Sequence, residues 1–415
     1  MLILAIAAIA SLAAPFATFR GDLQHTGVYA APAITTQPHL KWKFETQARI
    51  LGTPAIVGNT AYIGSADGNL YAIDLDTGAL RWKFATEGLV VSSPAVSGDL
   101  VYFHSYDGTF RAVEAATGKL RWAFKTGGEK RFAAKHLHGL LPPDETMPDF
   151  WDFWLSSPAV DAGRVHFGSG DGNIYALDAA TGALQWKFHT GDVVHASPAI
   201  WNGTVYLGSW DTFFYALDAA TGKERWRFQT GRDPDIHNQE GIQGSAAIMD
   251  GVVYFGCRDA TLYALDAATG AKKWSQHGDR GWRSSSPAVY EGRVYLATGS
   301  DKKFNAFDAK TGAIVYSFDV GGGTFASPAI AGRTLYLATF DNKLRGIDLD
   351  AQKESWVLEI GAPPKIAGGS RFYDDVVGIM TQRWAGGIFI GSPVPAGKLL
   401  LIGSTDGALY ALEAR

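Results

Sequence analysis

Residues 197–228 read SPAIWNGTVYLGSWDTFFYALDAATGKERWRF. An apolar opening, Ser197-Pro198-Ala199-Ile200, leads to a β-rich run from Thr204 to Ser209 and a tight turn at Asp211. A second β-rich run, Phe213 to Leu217, ends in an Asp-x-x-Thr-Gly turn and is followed by a strand carrying Trp226. Four short strands in about forty residues, repeated along a chain, is the signature of a β-propeller blade.

The unit recurs. Opening prolines stand at 54, 94, 158, 198, 287, 328 and 393, and Ala246 takes the place of an eighth in Ser245-Ala246-Ala247-Ile248. The central turn appears at Asp67-Gly68, Asp107-Gly108, Asp171-Gly172, Asp211-Thr212, Asp259-Ala260, Asp301-Lys302, Asp341-Asn342 and Asp406-Gly407. Asp-Gly suits the positive φ of a two-residue hairpin turn. The closing-strand aromatics are Trp82, Trp122, Trp186, Trp226, Trp274, Tyr316 and Trp356, one short of the eight openings. The missing one is Trp42, in Leu40-Lys41-Trp42-Lys43-Phe44, a closing strand with nothing before it, whereas the last unit stops where its own should begin. The N-terminal strand therefore completes the last blade. The expected fold is an all-β, eight-bladed β-propeller of four-stranded blades, with the eight aromatics as docking pieces between blades.

Composition agrees. At 415 residues, 47% apolar, with 49 glycines and four methionines, the chain suits a turn-rich all-β protein with a large core. A net charge of -4 gives no basic footprint, which argues against nucleic acid as partner. The single Cys257 excludes an internal disulfide framework and lies in a strand pattern, as a buried inert thiol would. Residues 1–17 read as a signal peptide: Leu2 to Ala14 is an apolar run too short to span a bilayer, with Ser11-Leu12-Ala13 as a small-x-small cleavage pattern. Residues 18–39 form an aperiodic lead-in and 40–415 the propeller. A monomer, exported to the periplasm or beyond and without a transmembrane span, is the expectation.

Function belongs where the repeat breaks. Successive openings are 40 residues apart from Pro54 to Pro94 and from Pro158 to Pro198, but 64 from Pro94 to Pro158, 48 from Pro198 to Ala246 and 65 from Pro328 to Pro393. The three insertions, about 127–154, 231–242 and 361–389, all join a closing strand to the next opening strand, so they crown one face. The residues three before each opening position ring the channel mouth there: Leu51, Val91, Leu155, His195, Gln243, Ser284, Phe325 and Ile390. The polar three are consecutive, and Asn238, Glu240, Trp282 and Arg283 lie beside them. Polar groups converging on an apolar mouth are how small-molecule sites look, which makes these seven the candidate ligand set. Phe150, Trp151 and Trp154 of the first insertion and Arg371, Tyr373, Arg383 and Trp384 of the third are candidate protein-interface anchors, or else the loops pack as a lid. His136 and His138 lack an assured third ligand, so no metal site is assigned. No residue is singled out as catalytic.

The unit Tyr175-Ala-Leu-Asp-Ala-Ala-Thr-Gly-Ala-Leu-Gln-Trp186 resembles the tryptophan-docking motif of pyrroloquinoline-quinone (PQQ) repeat propellers, around the ring from 40 to 415. One branch of that family comprises PQQ-dependent dehydrogenases, which hold the quinone over the channel mouth against a disulfide of adjacent cysteines, with calcium. The other is BamB-like, a non-catalytic outer-membrane assembly factor binding partners through loops on one face. With Cys257 alone the disulfide cannot form, and no cysteine follows the leader to carry a lipid anchor. The resemblance implies a non-enzymatic envelope scaffold with protein partners and no cofactor. The alternatives are a PQQ- and calcium-dependent or metal-dependent oxidoreductase, and a small-molecule or glycan binder at the mouth.

Overall fold

The computed structural model describes residues 16–278, 281–299, 302–360 and 387–414. It is a ring of eight four-stranded antiparallel sheets. Blades 1 to 7 run within 55–85, 95–125, 159–189, 199–229, 247–277, 288–319 and 329–359. Blade 8 takes three strands from 394–413 and its outermost strand from His39–Glu45, which pairs with Ala408–Glu413 in the register His39↔Glu413 to Glu45↔Ala408. The closure expected from the orphan strand is present. The central turns hold φ between 74° and 88° at Gly68, Gly108, Gly172 and Gly407. Thr212, Ala260, Lys302 and Asn342 adopt the same left-handed region without glycine's freedom.

The docking aromatics do one job. In blade 3 the Trp186 indole N–H donates to Ala219 O of blade 4 at 3.0 Å. The ring lies over Gly222 (φ +71°), where a Cβ would come within 2.6 Å of it. The same bond joins Trp42 to Leu75 O, Trp82 to Ala115 O, Trp122 to Ala179 O, Trp226 to Ala267 O and Trp274 to Ala309 O. Two blades depart from it. Blade 6 carries Tyr316, which has no indole N–H to offer, and Gln352 stands in the glycine position opposite it. Trp356 of blade 7 donates to Ile34 O at 2.9 Å, so the lead-in supplies the acceptor there.

The channel is belted by hydroxyls. The residue before each opening position is Ser or Thr, and its backbone N–H donates to the corresponding hydroxyl of the next blade. The bonds run from Thr53 to Ser93, Ser157, Ser197, Ser245, Ser286, Ser327, Ser392 and back to Thr53, at 2.8–3.2 Å. This cyclic chain ties all eight innermost strands together.

The lead-in is a strap across the channel floor, on the face opposite the insertions. Phe16–Ala17 adds a fifth strand to blade 2. The segment then takes N–H groups from four innermost strands: Ile200 to Leu23 O, Ile248 to Gln24 O, Val289 to Thr26 O and Ile330 to Gly27 O. Innermost strands otherwise turn an unpaired edge to the channel, and the strap satisfies it. The core consists of apolar clusters at the blade seams, such as Tyr206, Phe214, Phe255, Cys257 and Leu265 between blades 4 and 5. Burial pushes the Cys257 thiol up, in keeping with an inert thiol.

Candidate functional site at the channel mouth

The eight mouth residues do ring the upper channel. The first insertion folds over them as a short hairpin, Ala133–Lys135 with Thr146–Pro148, and a single turn, Leu137–Gly139. It then descends into the mouth. Trp151 and Phe153 are buried in one apolar cluster with Leu51, Val91, Leu155, Phe325 and Ile390, and Trp154 packs against it. Trp151 and Trp154 each lie 5.6 Å, centroid to centroid, from Phe325. Two of the expected interface anchors thus form a plug, and Phe150 sits half-buried beside it. Arg371, Tyr373, Arg383 and Trp384 lie outside the described residues, as does the proposed leader up to residue 15.

Charged groups fasten the plug. Asp149 accepts from Trp151 N at 2.7 Å and from Arg258 Nη1 at 2.5 Å, and its carboxylate lies 3.3 Å from His138 Nε2. Burial alone would raise Asp149, but Arg258 and then His138 outweigh it and hold the carboxyl well below the usual range. The Arg258 guanidinium stacks 3.7 Å from the centroid of Trp282 and 4.7 Å from that of Trp210. Asp152 accepts from Phe132 N at 2.7 Å and meets His195 Nδ1 at 2.6 Å. Across the imidazole, His195 Nε2 lies 3.6 Å from Glu129, whose other oxygen is 3.2 Å from His104 Nε2. Burial by itself lowers His195, but Asp152 and Glu129 prevail and bring it to about 10. Burial lowers His104 despite Glu129. At neutral pH the line therefore holds a neutral His104, a Glu129 anion and a His195 cation.

The remaining candidates are brought together, yet around the insertions rather than around open space. Gln243 Nε2 donates to Trp151 O at 2.5 Å. Trp282 Nε1 donates to Asn238 O at 2.8 Å, and Asn238 Oδ1 meets His138 Nδ1 at 2.9 Å. Glu240 is engaged by His237 Nδ1 at 2.5 Å and by Asp233 N at 2.9 Å. Arg283 Nε donates to Ala260 O, while Ser284 lies buried on the channel wall. Sequence reasoning missed Glu129, Asp149, Asp152 and Arg258. A signal existed, since Asp149 and Asp152 interrupt the aromatic run and Arg258 stands one residue before a blade's turn aspartate.

A PQQ with calcium does not fit this mouth. The quinone is a flat tricyclic tricarboxylate needing an open face, and Trp151, Phe153 and Trp154 fill that face. The channel beneath holds about 60 Å³, room for a few waters. Among the described residues no three His, Cys, Asp or Glu side chains converge in a metal-holding group.

The chain is similar to known propellers of two kinds. BamB from Moraxella catarrhalis superposes with a TM-score of 0.66 at 17% identity, over 91% of this chain and 98% of that one. A europium-containing methanol dehydrogenase gives 0.73 at 16%, over 96% and 98%. The quinohemoprotein alcohol dehydrogenase of Comamonas testosteroni gives 0.69 at 14%, over 96% and 80%. At such identities these likenesses speak to the fold alone. No curated protein matches. A family model described as outer membrane protein assembly factor BamB matches residues 36–140, 149–276 and 236–379. The chain belongs to this family of PQQ-repeat β-propellers.

Proposed function

We propose that this protein is a non-catalytic, exported propeller of the cell envelope that binds protein partners through its insertion-bearing face. The observation that carries this reading is the plug. The mouth that a substrate or cofactor would use is occupied by the chain's own Trp151, Phe153 and Trp154, and Gln243 and His195 hold that plug down. At the tip of the first insertion Leu141 is 79% exposed, and Leu89 is exposed on a neighbouring blade junction. In this reading Leu141 is a point of contact with the partner. The match to a family described by an outer membrane assembly factor supports an envelope setting. No helix among the described residues is long and apolar enough to cross a membrane.

Two experiments test it. Calorimetric titration with PQQ and calcium should give no heat, and micromolar binding lost in Glu240→Gln would overturn the scaffold reading in favour of an oxidoreductase. A photo-cross-linking residue at Leu141 should capture envelope proteins in cells, and one at the floor-face position Asn202 should not. Equal labelling from both faces would sink the assignment of the partner surface.

A further inference from the structure

Beside the strap, the floor face holds an open groove of about 560 Å³, within the range of small-molecule sites. One wall is the strap, residues 22–24. The other is made by the ends of the innermost strands of blades 3 and 4, Asp161 and Trp201, with the turn Asn202-Gly203. The repeat departs from itself here. At the last position of the innermost strand the other six blades carry valine, serine, methionine, tyrosine or alanine. The tryptophan and the acid each occur once among the eight, on adjacent blades. Trp201 is not the docking tryptophan of its blade, a place that Trp226 fills. Its ring packs on the cluster between blades 4 and 5, and a Cβ at Gly251 of blade 5 would lie 3.7 Å from its Cη2. The ring is only half-buried, and its remaining surface lines the groove.

Hydrogen-bonding capacity in this groove is unspent. The Trp201 indole N–H, the Gln24 and Asn202 amides and the Asp161 carboxyl make no side-chain hydrogen bond or ion pair within the protein. Asp22 alone is engaged, by Thr26 N at 3.0 Å and by the Thr26 hydroxyl. The unspent set mixes donors with acceptors, and that mixture selects the ligand. An indole N–H donates only, carboxyl oxygens accept, and an amide does both. An ammonium group brings donors alone and would leave the indole and amide N–H groups unmet. A phosphate or carboxylate brings acceptors alone, and would meet two acidic side chains in a groove lined by no Lys or Arg. A hydroxyl donates and accepts. A sugar ring carries several hydroxyls and also has a C–H face to lay against an aromatic side chain.

We propose that the floor groove binds a neutral saccharide of one or two rings, packed on Trp201 and hydrogen-bonded by Asp161, Gln24 and Asn202. The site lies on the face opposite the insertions and is separate from the channel mouth. The scaffold reading does not depend on it, and it does not depend on which partners the insertion face takes.

The test presents the full chain to an array of neutral and acidic saccharides and follows the retained sugars by saturation-transfer NMR. Neutral saccharides should be retained, and their uronic-acid counterparts should bind at least several-fold more weakly. Asp161→Ala breaks no side-chain bond within the protein, so it should leave the melting temperature unchanged and weaken binding about tenfold. Trp201→Ala should abolish saturation transfer, and Trp201→Phe, which keeps a ring on the blade 4–5 seam, should restore part of it. An array that retains no saccharide, or one that prefers the acidic forms, overturns the proposal. Binding that Asp161→Ala and Trp201→Ala both leave unchanged belongs to another part of the molecule, and overturns it too.

Discussion

Tyr316 is the one docking position without an indole, and Gln352 opposite it keeps a side chain where Gly78, Gly118, Gly182, Gly222, Gly270 and Gly312 lie bare against Trp42, Trp82, Trp122, Trp186, Trp226 and Trp274. Tyr316→Trp alone should therefore gain nothing, since the new ring would meet the Gln352 side chain. Tyr316→Trp with Gln352→Gly should add about 1 kcal/mol through a new bond to Leu349 O, and chemical denaturation of the two singles and the double will show whether the pair is coupled. In the seams that already carry tryptophan, Trp226→Ala should cost about 3–5 kcal/mol by the cavity it leaves. His195 makes a different kind of prediction. Its folded pKa of about 10 exceeds the ordinary histidine value of about 6.5, so the protonated form favours the folded state. That contribution is fully present below pH 6.5 and is lost as pH rises through 10. Denaturation midpoints between pH 6.5 and 10 should fall more steeply for the wild type than for His195→Gln. These repeat positions were readable because each does the same work in every blade. The partners of His195 were not, since Asp152 lies 43 residues away in a segment with no period.

Among the elements, strap and plug are what periodicity could not disclose. The strap takes its shape from backbone bonds to Ile200, Ile248, Val289 and Ile330, and backbone bonds leave no mark on side-chain pattern. From sequence, therefore, residues 18–39 show only an aperiodic lead-in. A chain beginning at Gln37 should retain the blades' circular dichroism yet melt well below the full chain. It loses the partners of four inner-edge N–H groups and the acceptor of Trp356. If its melting temperature is unchanged, the strap is ornament. The plug was half legible. Its aromatics announced themselves, but whether Trp151 faced outward or inward depended on Asp149 and Asp152 finding Arg258 and His195. Trp151→Ala should speed amide hydrogen exchange across 127–154 and leave exchange in the outermost strands of the blades unaltered.

At the scale of the whole molecule, count and closure of the ring followed from arithmetic: eight openings, seven closing aromatics, one orphan strand. Joining the two ends covalently is the corresponding test. His39 and Glu413 are register partners, and a disulfide between His39→Cys and Glu413→Cys encloses a loop of more than 370 residues. Chain-entropy reasoning allows about 5–6 kcal/mol of stabilisation for such a loop, less any strain. Oxidised protein should melt higher than reduced protein, with Cys257 too deeply buried to interfere.

The shared eighth blade also sets a timetable. The strand His39–Glu45 is among the first parts of the propeller to be synthesised, and its partner Ala408–Glu413 is among the last. At about 5–20 residues per second, it waits roughly 20–70 seconds for that partner. Throughout that interval the nascent ring stays open at one seam, with Trp42 lacking its neighbour and an unpaired strand edge on display. A ribosome-bound chain can stack blades in order, but it cannot finish, and the last contact to form is the one between its beginning and its end.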